Sequence, residues 1–115
     1  MKKLIFAALA LCALSSCTTT SKSLYSWYDY EDITYKYNKK QTDELKVKVL
    51  EQFDKLSAKQ KGTRGVVPPG LYAEYGFMLY HEGKTEEGLE FLKKEISLYP
   101  ESEKYISRIV KQLEK

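Results

Sequence analysis

One histidine, two cysteines and one tryptophan are all that these 115 residues contain of those three types. His81 has no second histidine and no neighbouring cysteine. A metal centre needs three or four ligands, so His81 reads as a helix-end side chain beside Glu82. The same scarcity argues against hydrolytic chemistry, which needs a nucleophile, a base and a group to orient the base, and no Gly-x-Ser-x-Gly turn is present. Glu86, Glu87 and Glu90 fall in the first turns of an expected helix, where carboxylates meet the positive end of the dipole. They need no catalytic role. No lysine or arginine block marks a nucleic-acid site, and Lys39-Lys40 and the Lys59–Lys61 stretch read as solvated lysines rather than a headgroup contact. The longest apolar run, Leu4 to Leu14, has about 11 residues, well short of the roughly 20 that a membrane-spanning helix needs. No enzyme activity, metal or cofactor is expected.

What the first residues do contain is a basic start, Lys2-Lys3, then the apolar run, then Leu14-Ser15-Ser16-Cys17. The order basic, apolar, small is that of an export signal, whose apolar stretch is usually about 7–15 residues. An ordinary cleavage site favours small side chains at −3 and −1, whereas Leu14 stands at −3 here. Leu14 to Cys17 resembles the bacterial lipobox. That resemblance implies that residues 1–16 are removed, that the Cys17 thiol takes a diacylglyceryl group, and that Cys17 becomes the new N-terminus. Two or more acyl chains hold firmly where one holds marginally, so the membrane is an expected partner through the N-terminal lipid. Thr18, not Asp, follows the cysteine, which by the same resemblance implies sorting to the periplasmic face of the outer membrane. Removing 16 of 115 residues leaves 99, enough for one small domain. The cut takes Lys2 and Lys3, so 19 basic side chains become 17 against 16 acidic ones, a net +1. Cys12 leaves with the signal and Cys17 is acylated, so no disulfide supports the fold.

Residues 17–23 are small and polar and read as a lipidated tether; six residues span at most about 20 Å. A single helical domain is expected over residues 24–115. It begins with an aromatic segment, 24–37, whose second half fits a short helix with Asp29 as a candidate N-cap. Trp27, Tyr28, Tyr30 and Tyr35 in that segment are candidates for partner binding, because aromatic side chains are enriched at protein interfaces. The alternative is that the rings fold back to complete the core, since each can bury about 150–250 Å², and different rings can take different roles. From Thr42 to about Lys59, Leu45, Val49, Phe53 and Leu56 recur at helical spacing, and Thr42 or Asp43 can cap the start. Pro68-Pro69-Gly70 opens a helix from Leu71 to Glu82 that Gly83 stops. Thr85 is placed to cap the next helix, to about Leu98, and Pro100 ends it. A last helix from Ser102 puts Tyr105, Ile106, Ile109, Val110 and Leu113 on its expected buried side. The expected fold class is all-α, a small antiparallel helical array with short connections.

Residues 69–102 span 34 positions, the length of a tetratricopeptide repeat. With Pro69 as the first position, Tyr72, Tyr75-Gly76 and Leu79 fall on its first helix, and Gly88 and Leu92 on its second. Gly76 and Gly88 leave room where two backbones would cross, with Tyr75 and Leu79 filling the seam and Leu92 at the crossing; Glu95 departs from the pattern, which usually has alanine there. The array is therefore expected to hold one tetratricopeptide-like hairpin flanked by cap helices.

The strings Val67-Pro68-Pro69-Gly70-Leu71-Tyr72-Ala73-Glu74-Tyr75-Gly76, Gly83-Lys84, Lys94-Glu95 and Tyr99-Pro100-Glu101-Ser102 resemble a bacterial lipoprotein family of unknown function, domain-of-unknown-function family 4810. The aromatic stretch Leu24 to Tyr30 with Tyr35-Lys36-Tyr37 is similar to that family's N-terminal signature. The resemblance implies no catalytic residues. It implies an assembly with other envelope lipoproteins, one of them similar to the curli secretion channel. The expected function is a non-enzymatic accessory or adaptor subunit of such an assembly. The alternative is an envelope ligand-binding protein that contacts peptidoglycan or lipid.

Overall fold

In a computed structural model, the structure describes Lys2 and residues 22–115. Cys17, the rest of the expected signal 1–16 and the tether as far as residue 21 lie outside the described residues. Every regular element described is helical: α1 (Tyr30–Lys39), α2 (Asp43–Ala58), α3 (Leu71–His81), α4 (Thr85–Leu98) and, after a 3-10 turn at Pro100–Ser102, α5 (Glu103–Leu113). The chain is all-α, built as two antiparallel hairpins, α1–α2 and α3–α4, closed by α5.

Helix α2 starts where its sequence dictates. The Thr42 hydroxyl accepts from Leu45 N at 3.3 Å, satisfying one of the four orphan amides of a helix start. Val49, Phe53 and Leu56 are buried along one stripe, and they join Val67, Leu71, Tyr75 and Leu79 in the core. Helix α3 ends in a Schellman turn: Lys84 N donates to Leu79 O at 3.0 Å and Gly83 N to Tyr80 O at 3.1 Å. Gly83 takes φ +88, where a side chain would be strained.

That turn corrects one expectation. Lys84, not Thr85, occupies the N-cap position of α4, because its carbonyl already accepts from Gly88 N at 2.9 Å; Thr85 is the first helical residue. Asp29 does stand at the N-cap of α1, but its side chain makes no capping bond. A second correction concerns Tyr105, which is 67% exposed. Ile106 is buried, with Ile109, Val110 and Leu113 half-buried, so the inward stripe follows i, i+3, i+4, i+7 from Ile106 and leaves Tyr105 outside it.

The α3–α4 contact is the most extensive in the molecule. Its centre is the glycine pair: a Cβ on Gly76 would lie 2.6 Å from Gly88 O and 3.0 Å from Leu92 N, and one on Gly88 would lie 2.5 Å from Gly76 O. Leu92 is fully buried beside them, and Tyr75 packs against Phe91 with ring centroids 4.5 Å apart. Glu95, anomalous by sequence, now has a structural role. It is 2% exposed, and its Oε1 accepts from Gly70 N at 2.5 Å, so α4 supplies a carboxylate to the start of α3, the dipole end that favours it.

Candidate functional site

The aromatic segment does not act as one piece. Tyr25, Trp27, Tyr30, Phe53, Tyr75 and Phe91 form a continuous ladder from the surface into the core, with successive centroids 4.5–6.1 Å apart. Tyr30 is half-buried, edge-on to Phe53, and donates from its hydroxyl to Glu74 Oε2 at 2.5 Å. Tyr35 lies on the exposed side of α1 under Lys39, whose Nζ is 4.7 Å from the ring centroid. Trp27 and Tyr28 are 37% and 43% exposed at the edge where the chain enters the domain.

That edge is held by backbone and side-chain hydrogen bonds. Residues 23–28 are laced to the loop after α2: Thr63 N donates to Ser23 O at 3.1 Å, Arg64 N to Leu24 O at 3.2 Å, and Lys61 N to the Ser26 hydroxyl at 2.9 Å. Ser26 N donates to Gln60 Oε1 at 2.5 Å, Asp29 N to Gln52 Oε1 at 3.2 Å, and the Tyr28 hydroxyl to Lys59 O. A Cβ on Gly62 would collide with the Leu24 carbonyl, so the two strands of chain touch backbone to backbone.

Two clefts open on the face formed by α1, α3 and α5. One, of about 490 Å³, lies between α1 and α3 over the floor of Val49 and Phe53. The other, of about 430 Å³, lies between α3 and α5 and is lined by Ala73, Tyr105 and Ile109. Glu74 and Phe77 line both and form the ridge between them. Phe77 is 44% exposed although the rest of α3 is strongly apolar. His81 stacks edge-on to Phe77 at 4.4 Å, and Lys46 bridges Glu82 at 3.0 Å and Asp43 at 3.3 Å, closing the far end of the first cleft. The Glu82 bond, and then the Asp43 bond, hold the Lys46 ammonium above its ordinary pKa. Among the described residues, no three His, Cys, Asp or Glu side chains converge as metal ligands. Concave, mostly apolar and aromatic surface with a few polar groups is the usual form of a ligand or partner site.

Residues 24–109 match the family model described as Domain of unknown function (DUF4810). The chain belongs to this family. No curated protein and no solved structure matched the chain. The family span starts at Leu24, one residue after the first that is laced to the loop, and ends at Ile109, which lines the second cleft, so it takes in most of the edge and the two-cleft face. Trp27, Tyr28, Tyr30 and Tyr35 were accessible as candidates from sequence; Glu74, Phe77 and Tyr105 were not singled out for a binding role. The available signal was Phe77, which falls outside the Leu71, Tyr75, Leu79 stripe that α3 buries.

Three tyrosines are expected to make the fold sensitive to alkali. Burial, and then the bond to Glu74, push the Tyr30 phenol well above its usual 10.0. Burial raises Tyr75, helped by the Asp54 and Glu87 carboxylates, and Tyr99, whose hydroxyl donates to Val67 O at 2.5 Å, is pushed up to about 12 by burial and then by the neighbouring Tyr25 phenol. Unfolded, these phenols lose their protons near pH 10; folded, they lose them later. Their contribution to stability is therefore complete below about pH 10 and is lost as pH rises through the folded values. The melting temperature is expected to fall steeply above about pH 10, and less steeply in Tyr30→Phe with Tyr99→Phe. Equal slopes for wild type and the double variant would discount the two phenols.

Proposed function

We propose that this protein is a lipid-anchored, non-enzymatic adaptor of the outer membrane's periplasmic face, docking another envelope lipoprotein on the α1–α3–α5 face. The observation that carries the docking assignment is the Phe77–Glu74 ridge with a cleft on either side. Exposed aromatic side chains flanked by concave apolar surface are the usual anchors of an interface; Phe77 and Tyr105 are exposed, and the cleft on one side of Phe77 is floored by the core residues Val49 and Phe53. The anchoring assignment rests on Lys2-Lys3, the apolar run and Leu14-Ser15-Ser16-Cys17. Among the described residues, no helix is long and apolar enough to cross a membrane.

The test is copurification of the full lipoprotein in mild detergent. Phe77→Ala with Tyr105→Ala is expected to weaken a stoichiometric protein partner at least tenfold, since interface hot spots cost about 2 kcal/mol or more on truncation. Both rings are substantially exposed, so the melting temperature should move little. Undiminished recovery of the partner by the double variant would remove the face from the interface. Recovery of peptidoglycan fragments or lipid in place of any protein would favour the ligand-binding alternative.

A further inference from the structure

The edge formed by residues 22–28 and 59–64 carries Lys22, Lys59, Lys61 and Arg64, and neither stretch contains an acidic residue. All four cations are exposed, and none is in an ion pair among the described residues. Leu24, Trp27 and Tyr28 are exposed on the same edge, at 55%, 37% and 43%. The lacing of Ser23, Leu24, Ser26 and Tyr28 to residues 59–64 makes this one surface rather than two loose segments. It also fixes where the chain leaves the domain: Ser23 is six residues from Cys17, a reach of at most about 20 Å.

We propose that this edge lies on the anionic phospholipid headgroups of the membrane that holds the anchor. The inference rests on lipidation at Cys17. Given that anchor, the edge is the part of the domain held nearest the bilayer, and the short tether makes its encounter with the surface intramolecular. Each Lys or Arg close to an anionic surface strengthens association about fivefold. Trp and Tyr rings favour the headgroup level, where one end is apolar and the other wet. A protein partner fits the edge less well, because lysine is depleted at protein interfaces while three of its four cations are lysines. The Lys59–Lys61 stretch, unremarkable in sequence, acquires this role because Lys22 and Trp27 are folded beside it.

Trp27 is the chain's one tryptophan, so its emission reports this edge alone. The full lipoprotein is reconstituted into vesicles of phosphatidylcholine, with or without phosphatidylglycerol, and brominated lipids serve as quenchers. With phosphatidylglycerol, Trp27 emission is expected to move to the blue and to be quenched, and 1 M salt, which shortens the screening length to about 3 Å, should reverse both. Lys59→Glu, Lys61→Glu and Arg64→Glu together should abolish the quenching while the protein still floats with the vesicles and keeps its helical circular dichroism. Trp27 that is unquenched in anionic vesicles, or quenched equally in the triple variant, would overturn the proposal and return the edge to a protein partner. Anchoring is read separately by flotation. In the processed but unlipidated chain (residues 17–115 with Cys17→Ala), binding to phosphatidylglycerol vesicles should weaken about fivefold for each of the four cations changed to glutamine. No dependence on those cations would overturn the proposal even if the anchor itself fails.

Discussion

Gly76→Leu is expected to lower the melting temperature by about 4–24 °C. The direction follows from what a side chain would meet. The first atom beyond Cα, the Cβ, already falls 2.6 Å from Gly88 O and 3.0 Å from Leu92 N, and both are backbone atoms that cannot rotate away. The two helices would have to part along the seam that Tyr75, Leu79 and Leu92 fill. Overpacking of this kind costs about 1–3 kcal/mol and occasionally more, and each kcal/mol moves the midpoint of a domain this size by about 4–8 °C. Helix propensity pulls the other way, because glycine is the poorer helix former by about 0.8–1.0 kcal/mol. An exposed glycine would therefore give a stabilised variant. Gly88→Ala meets Gly76 O at 2.5 Å and should lose stability as well. A melting temperature that rises in either variant would show that the helices do not cross there.

That seam was legible in sequence because glycine is informative twice over, as a poor helix former and as a residue without Cβ. Two glycines twelve residues apart, one on each expected helix, call for a reason, and close approach is one. The all-α class was legible for a related cause. Leu45, Val49, Phe53 and Leu56 repeat at a helical period over a stretch bounded by a good N-cap at Thr42, so pattern and capping agree. Tyr105 was misplaced because apolar character alone assigned it inward; one residue of rotation from Ile106 is 100° of helix, and the stripe passes it by. Thr85 was misplaced because a Schellman turn feeds directly into α4 and hands the cap position to Lys84.

The binding surfaces were harder to read for a different reason. Gln52 and Gln60 pin the entering chain across 23 and 34 residues of sequence, and such pairings leave no periodic trace. Glu95 looked like a flaw in a repeat pattern, because its partner is a backbone amide freed by Pro-Pro-Gly 25 residues earlier. The aromatic segment was visible as a whole, but its division between core and surface depends on which ring meets Phe53. Tyr30 does, and Trp27 rests on Tyr30 instead. The segment thus serves packing at one end and exposure at the other. Neither pure alternative, core or interface, describes it.

Cys17→Ala, in a chain whose residues 1–16 are replaced by an ordinary cleavable export signal, is expected to move the protein from the membrane pellet to the soluble envelope fraction and to abolish labelling by a fatty-acid analogue. The size of the effect follows from the acyl chains. Burial contributes about 0.8 kcal/mol per CH₂, a single chain binds marginally, and two or more hold essentially irreversibly. No contact on the folded domain approaches that. The four edge cations together contribute about 4 kcal/mol at an anionic surface, a weak association that salt removes. The variant should therefore show a small residual pellet at low salt that disappears in a high-salt wash. Mass spectrometry of the wild type should find the N-terminus at Cys17 with acyl mass attached. An unmodified N-terminus at another residue would end the lipid assignment. A Cys17→Ala variant that stays in the pellet through the high-salt wash would mean that docking on the α1–α3–α5 face, not lipid, holds the protein to the membrane. Adding Phe77→Ala and Tyr105→Ala to Cys17→Ala should then release it.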